Sequence, residues 1–226
     1  MVQGSVSRRR KARGRPFATG SQVLGPEQIT ARALQLLDQN GLEALNMRAL
    51  ARQLGVQASA LYWHIGDKSE LIGLMAWHFY AMAIETATGS RSAEEWLLRF
   101  GQSFHAGLCA HRDAARLCAI ARPRDQDPVS RGDRIAAPLL QLGLSRKVAL
   151  VRMASVISLA LGWAVYEQSE AQREYLARMI SLEEGFDTGL CALLRGFSAD
   201  SGKDRKPPAR RRPPNRGASA LLRVDR

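Results

Sequence analysis

Between about residues 26 and 197 apolar positions recur every three or four residues, and nowhere do they alternate as they would in strands joined by hairpin turns. Pro26 fits the first position of a helix, Ile29, Ala33, Leu36 and Leu37 keep helical spacing, and Asn40-Gly41 reads as its stop. Asn46 is placed to cap a short second helix with Met47, Leu50 and Leu54 on one face, which Gly55 breaks. A third helix, from about Gln57 to His64, turns Leu61 inward and ends at Gly66. Asp67-Lys68-Ser69-Glu70 has the form of a capping box and opens a longer helix with Leu71, Leu74, Met75, His78 and Phe79 on one face. Gly89 to Ser92 reads as a domain junction. Beyond it the spacing predicts helices over roughly 93–110, 112–121, 128–143, 146–172 and 174–197, with the clearest break at Arg122-Pro123-Arg124-Asp125. There is no internal repeat and no Gly-rich phosphate loop. The expected fold is all-α, a small N-terminal domain followed by a larger bundle.

Charge changes this picture at the two ends. Residues 1–16 carry six Lys/Arg and no acid, and residues 203–226 carry nine against Asp204 and Asp225. The chain's net charge is +12, so the body between them is left at about −1. Gly, Pro, Ser and Arg dominate both ends without apolar periodicity, so residues 1–24 and 200–226 are expected to be disordered basic tails. Polycations bind polyanions through counterion release, although solubility is the plainer reading of the C-terminal tail. No apolar stretch follows the first arginines as in a secretory signal, and the run Met153 to Val165 is shorter than the ~20 residues of a membrane span. Cys109, Cys118 and Cys191 are odd in number and lack metal-type spacing, which suits small buried hydrophobes in a reducing compartment. A cytoplasmic protein with no membrane partner is expected.

The stretch LARQLGVQASALYWHI, residues 50–65, joins two short helices through a glycine, the arrangement of a helix-turn-helix that lays its second helix in the DNA major groove. Ala51 is small where the helices must approach, and Gly55 can take the left-handed conformation of a tight turn. Leu50, Leu54, Leu61 and Ile65 fall on the buried sides. Ala58, Ser59, Ala60, Tyr62, Trp63 and His64 are left on the outer face or its rim. The tyrosine hydroxyl, indole N–H and imidazole can donate to phosphates, while small side chains at 58–60 allow close approach to base edges. An ordinary helical hairpin with a surface aromatic patch would share the Ala-x-x-x-Gly spacing. The supporting helix ahead, the capped helix behind and the basic arm favour DNA.

Residues 27–82, above all ALNMRALARQLGVQASALYWHIGDKSEL, resemble the N-terminal domain of TetR-type bacterial transcriptional regulators. More faintly, SFHAGLCAHRDAARL (103–117), LALGWAVYEQ (159–168) and FDTGLCALLRGF (186–197) resemble segments of the family's C-terminal domain. The resemblance implies a three-helix helix-turn-helix DNA-binding domain (25–88, motif about 46–65), then a helical ligand-binding and dimerisation bundle (89–199). It implies DNA contacts at Asn46, Arg48, Ala58, Ser59, Ala60, Tyr62, Trp63, His64 and Lys68, the last four as a phosphate clamp. Tetracycline-binding members have larger polar residues where Ala58 and Ala60 stand. A different operator is therefore expected, read more through methyl contacts, shape and Arg48. In the basic arm, Arg13-Gly14-Arg15-Pro16 is similar to AT-hook peptides, so Arg13 and Arg15 enter a minor groove or simply attract phosphate.

The resemblance further implies a homodimer through the last long helices. VALVRMASVISLALGWAV is apolar nearly all round, as suits a helix packed on several sides, and Gly162 and Ala164 permit close approach. A two-fold dimer matches a palindromic operator. A small-molecule effector is expected inside the bundle, with Trp96, Phe100, Phe104, His105, Met153, Ile157 and Trp163 as candidate lining. Tetracycline-binding members ligate the drug's magnesium through a pocket histidine, and here Cys118 stands at about its place, a poor magnesium ligand. Phe104 matches a pocket aromatic, so the expected effector is a flat apolar molecule other than magnesium-bound tetracycline. No cofactor, resident metal or catalytic residue is expected. His64, His78, His105 and His111 are scattered, no Gly-x-Ser-x-Gly elbow occurs, and Glu94-Glu95 and Glu183-Glu184 point to different helix sides. The expectation is a ligand-released repressor. An activator of the same fold, or a nonspecific architectural DNA binder, is the alternative, and the latter would leave the second domain without a purpose.

Overall fold

The computed structural model describes residues 24–121 and 128–200, which form ten α-helices and no strand. The basic arm with Arg13 and Arg15, the break at 122–125 and the C-terminal tail lie outside the described residues. The helices are α1 (Pro26–Ala44), α2 (Met47–Leu54), α3 (Ala58–His64), α4 (Lys68–Ala87) and α5 (Ala93–Ala110). They continue as α6 (Ala114–Ile120), α7 (Pro128–Gln141), α8 (Arg146–Gln168), α9 (Glu170–Ala177) and α10 (Leu182–Asp200).

Local chemistry accounts for the early boundaries. Pro26 opens α1, and the helix kinks at Gly41 (φ 76°) before its last short turn. Asn46 Oδ1 accepts the Ala49 N–H at 2.9 Å and so caps α2. Asp67 Oδ1 accepts the Glu70 N–H at 2.8 Å, while Glu70 Oε2 accepts from Gly66 N–H at 2.8 Å, a capping box displaced by one residue.

Helix α4 joins the two halves of the molecule. It packs on α1 at one side and along α5 and α6 at the other, so its buried residues include Ile72, Ala76, Ala83 and Ala87 besides Leu71, Met75 and Phe79. His78 leaves the face foreseen for it and is exposed in the seam between α1 and α4. One core runs from Ile29 through Phe79, Phe100 and Phe104 to Leu194, without a gap at residues 88–89. Helix α5 packs on α8, and α6, α7 and α10 pack around α8. Where α5, α8 and α10 cross, Gly101 is required: a Cβ there would stand 2.9 Å from both Leu190 and Val156 side chains.

Two expected helices are drawn differently. The segment foreseen at 146–172 ends at Gln168, and 170–177 is a separate helix rather than the start of a 174–197 element, whose last helix begins at Leu182. The cause is tertiary. Gln168 Nε2 donates to the Leu108 and His111 carbonyls at 2.6 and 2.9 Å, which satisfies the C-terminal end of α5 and pins α8 there. The chain then turns at Ser169, in extended conformation. The helix foreseen at 112–121 likewise begins only at Ala114, because Asp113 adopts a left-handed φ of 56°.

Candidate nucleic-acid interface

The α2–α3 unit is held from inside and offered outward. Gly55 sits at φ 68°, and the Val56 N–H reaches back to the Ala51 carbonyl at 3.0 Å, the bond that closes a left-handed helix end. Leu50, Ala51, Leu61 and Ile65 are buried beneath the turn. Leu61 is 0% exposed, whereas Tyr62 is 48% and Trp63 85% exposed. Trp63 and His64 meet edge to face, with ring centroids 5.3 Å apart.

The site residues foreseen from sequence divide accordingly. Arg48, Ser59, Ala60, Tyr62, Trp63, His64 and Lys68 are all exposed on the helix-turn-helix and the first turn of α4. Ala58 is half-buried and packs against the core. Asn46 is exposed, but its amide serves the backbone at both ends, accepting from Ala49 and donating to the Ala44 carbonyl at 2.9 Å. Lys68 is the first residue of α4, where a cation works against the helix dipole, so its position is not explained by helix stability. Arg52 joins this surface although the sequence motif does not single it out. It is exposed one turn after Arg48, and that four-residue spacing on one helix was a readable signal for a second cation on the same face.

The residues foreseen as effector lining are largely packed as core. Trp96 stacks on Phe100 (5.1 Å) and Phe100 on Phe104 (5.7 Å), and all three are buried with Met153. Ile157 is half-buried, and His105 stacks on Phe186 at 3.8 Å. Trp163 differs: among the described residues its buried indole N–H has no hydrogen-bond partner. A cavity of about 820 Å³ lies elsewhere, between α1 and α4, with Leu34, Trp77, His78 and Met82 in its wall. There, partial withdrawal from water and, after it, the neighbouring His111 lower the pKa of His78, which keeps an exposed edge.

Residues 29–75 match the family of bacterial regulatory proteins of the tetR type. The chain is 33% identical over 151 residues to the class A tetracycline repressor of transposon 1721 from Escherichia coli, covering 65% of this chain and 68% of that one. Among solved structures it is similar to a variant of TetR from Acinetobacter baumannii AYE in complex with minocycline (TM-score 0.62, 27% identity, 78% of this chain and 97% of the other). It is also similar to BioQ with its double-stranded DNA operator (TM-score 0.58, 30% identity, 78% and 99%). Fold and surface together define a helix-turn-helix transcriptional regulator that binds DNA. The chain belongs to the tetR family.

Proposed function

We propose that this protein is a homodimeric, cytoplasmic, nucleoid-associated repressor that binds a palindromic operator and leaves it when a small hydrophobic molecule enters its C-terminal bundle. One observation carries the reading: Leu61 is fully buried and Trp63 85% exposed two residues along a seven-residue helix. Helix α3 is therefore anchored on one side and presents small and polar-tipped side chains on the other. Residues 25–88 are the reading unit and 89–199 the effector and dimer unit. Arg48, Ser59 and Ala60 take base edges and nearby backbone, with Ala58 as a close-packed shoulder and Asn46 holding the turn. Tyr62, Trp63, His64 and Lys68 take phosphates, while Arg13 and Arg15 extend the grip from the arm. The BioQ relative with its DNA operator supports this reading.

A second copy of the chain fits the open side of α8. An 18-residue window of that helix has mean hydropathy 1.9 with only 28% buried, long and apolar enough by composition alone to cross a bilayer. Its exposed stripe runs through Val151, Ala154, Ser158, Gly162 and Val165 at helical spacing, and a Cβ on Gly162 would meet nothing within 4 Å. A paired copy covers such a stripe and matches a palindrome.

The effector reading rests on Trp163, whose N–H lacks an acceptor, and on the relative in complex with minocycline. Magnesium-bound tetracycline does not suit this chain. Cys118 is buried and its thiol is pushed up to about 12 by burial, so it stays neutral and soft where magnesium needs oxygen. Catalysis is not part of the proposal either. The Cys109 thiol donates to the Glu167 carboxylate at 3.0 Å, which suppresses the thiolate a nucleophile needs.

Selection from a random duplex pool at fixed salt tests the whole reading. The expected product is one palindrome, bound at least ~10³-fold more tightly than bulk DNA by a dimer. Equal binding to all duplexes would return the architectural alternative, and a reporter gene that rises with the protein would make it an activator. Val151→Asp is expected to yield monomers in sedimentation. Titration of the operator complex with hydrophobic compounds beside tetracycline plus magnesium tests the effector, and release by the latter overturns its exclusion.

A further inference from the structure

Three side chains that the DNA-binding reading does not use converge where α5 meets the end of α8. His105 and Cys109 are four residues apart on α5 and so share one helix face. Glu167 reaches them from α8. The His105 Nε2 to Cys109 Sγ distance is 3.5 Å, His105 Nε2 to Glu167 Oε1 is 3.4 Å, and Cys109 Sγ to Glu167 Oε2 is 3.0 Å. All three donor atoms lie within 4.8 Å of one another.

We propose that His105, Cys109 and Glu167 form a binding site for a thiophilic divalent transition metal of the zinc type, which fastens α5 to the C-terminal turn of α8. The geometry carries the inference. A tetrahedral zinc with Zn–N near 2.0 Å and Zn–S near 2.3 Å sets its ligand atoms about 3.3–3.6 Å apart. His105 Nε2 already stands at that separation from both Cys109 Sγ, at 3.5 Å, and Glu167 Oε1, at 3.4 Å, while the sulfur meets the other carboxylate oxygen, Oε2. The Sγ–Oε2 contact is shorter, at 3.0 Å, because the thiol hydrogen bond spans it, and it opens once that proton is gone and a metal stands in its place. Imidazole, thiolate and carboxylate as a set select zinc-like ions over magnesium or calcium.

The surroundings suit a cation held in a fixed place. The His105 and Glu167 side chains are 14% and 21% exposed, so the donors are partly withdrawn from water, while Cys109 keeps an open side for a fourth ligand from solvent. The buried Phe186 ring lies parallel to the His105 imidazole, with 13° between their planes, and fixes its orientation. Asp187 adds a second negative charge near the imidazole. Without metal, the thiol keeps its proton and donates a hydrogen bond to Glu167. On binding, the Cys109 S–H bond breaks, a sulfur–metal bond forms, and the proton leaves to solvent. No electron transfer is involved.

The test is titration of the untagged full-length protein with Co(II), followed by displacement with Zn(II). One Co(II) per chain is expected, with a near-ultraviolet thiolate-to-cobalt band and visible bands of tetrahedral intensity. Cys118→Ser and Cys191→Ser are expected to keep the band and Cys109→Ser to lose it. His105→Gln and Glu167→Gln are expected to weaken binding by more than roughly tenfold, the usual cost of losing even an outer-sphere group. Zn(II) is expected to raise the melting temperature of the wild type and not of Cys109→Ser. Absence of a thiolate band in the wild type, or its persistence in Cys109→Ser, overturns the site. The wild-type spectrum decides this even if a variant fails to fold.

Discussion

Asp113 Oδ2 accepts the backbone N–H of Leu42 at 2.9 Å, across 71 residues of sequence. That bond ties the turn between α5 and α6 to the kinked end of α1. The same turn is held by Asp38, whose carboxylate accepts from the Arg112 N–H at 3.1 Å and contacts His111 Nδ1 at 2.9 Å. The α5–α6 turn therefore grips the end of α1 through backbone groups, in addition to the packing of α4 on both sides.

Asp113→Ala removes the acceptor and leaves the Leu42 N–H unsatisfied, a cost of about 1–3 kcal/mol. It also puts an alanine at φ 56°, where aspartate and asparagine are better tolerated. Chemical denaturation is expected to reveal that loss, and Asp113→Asn to recover most of it. Equal stabilities for Asp113→Ala and the wild type would mean that the turn does not hold α1.

Leu61 and Tyr62 are neighbours with opposite duties. Leu61→Ala is expected to destabilise the fold by roughly 2–5 kcal/mol, as for any well-packed buried leucine. Tyr62→Ala and Lys68→Ala change exposed positions, so their melts should stay within about 0.5 kcal/mol of wild type. On the proposed phosphate role of Tyr62 and Lys68, both variants should weaken binding to every duplex alike, because phosphate contacts carry no sequence information. Thermal melts beside operator titrations check the pair, and an early melt of Tyr62→Ala with a normal one for Leu61→Ala would invert the assigned facing.

Removal of residues 1–16 takes away six cations and no acid. Affinity for all DNA is expected to fall, and the slope of log K against log salt to flatten by roughly 0.9 for each phosphate that the arm no longer neutralises. Preference for the operator over other duplexes should survive, apart from any dependence on A·T-rich flanks. A truncated protein with the full salt slope would refute the role given to the arm.

Cys118 links stability to alkaline pH. Burial raises its thiol from 9.0 to about 12, so the unfolded chain loses this proton at lower pH than the folded one. Above about pH 9 the folded state therefore binds more protons, and stability falls as pH rises towards 12, by up to ~1.4 kcal/mol per pH unit for this group. Cys118→Ala is expected to be less stable at neutral pH through its lost volume, yet to lose less stability between pH 9 and 10.5. Denaturant melts at the two pH values test this, and parallel losses in both proteins would remove Cys118 as a source of the slope.

The chain's own order determined whatever rests on interactions within a few residues. Pro26 at the head of α1, the Asn46 cap, the left-handed Gly55 and the Asp67–Glu70 box were legible, because caps and turns are closed by side chains three or four positions from the backbone they serve. Leu61 inside and Trp63 outside followed from the same short period. Tertiary structure alone decided the rest. The end of α8 at Gln168 depends on the Leu108 and His111 carbonyls about 60 residues earlier, and nothing in the local pattern marks them. The aromatics foreseen around an effector stack on one another, since periodicity states that a ring faces inward but not whether its neighbours leave a void. His105 and Cys109 shared a helix face from the start, but Glu167 lies 58 residues beyond Cys109 and reaches it only because α5 and α8 pack side by side. Capping and helical period act over a turn, whereas contacts between helices are chosen by the joint packing of the whole core.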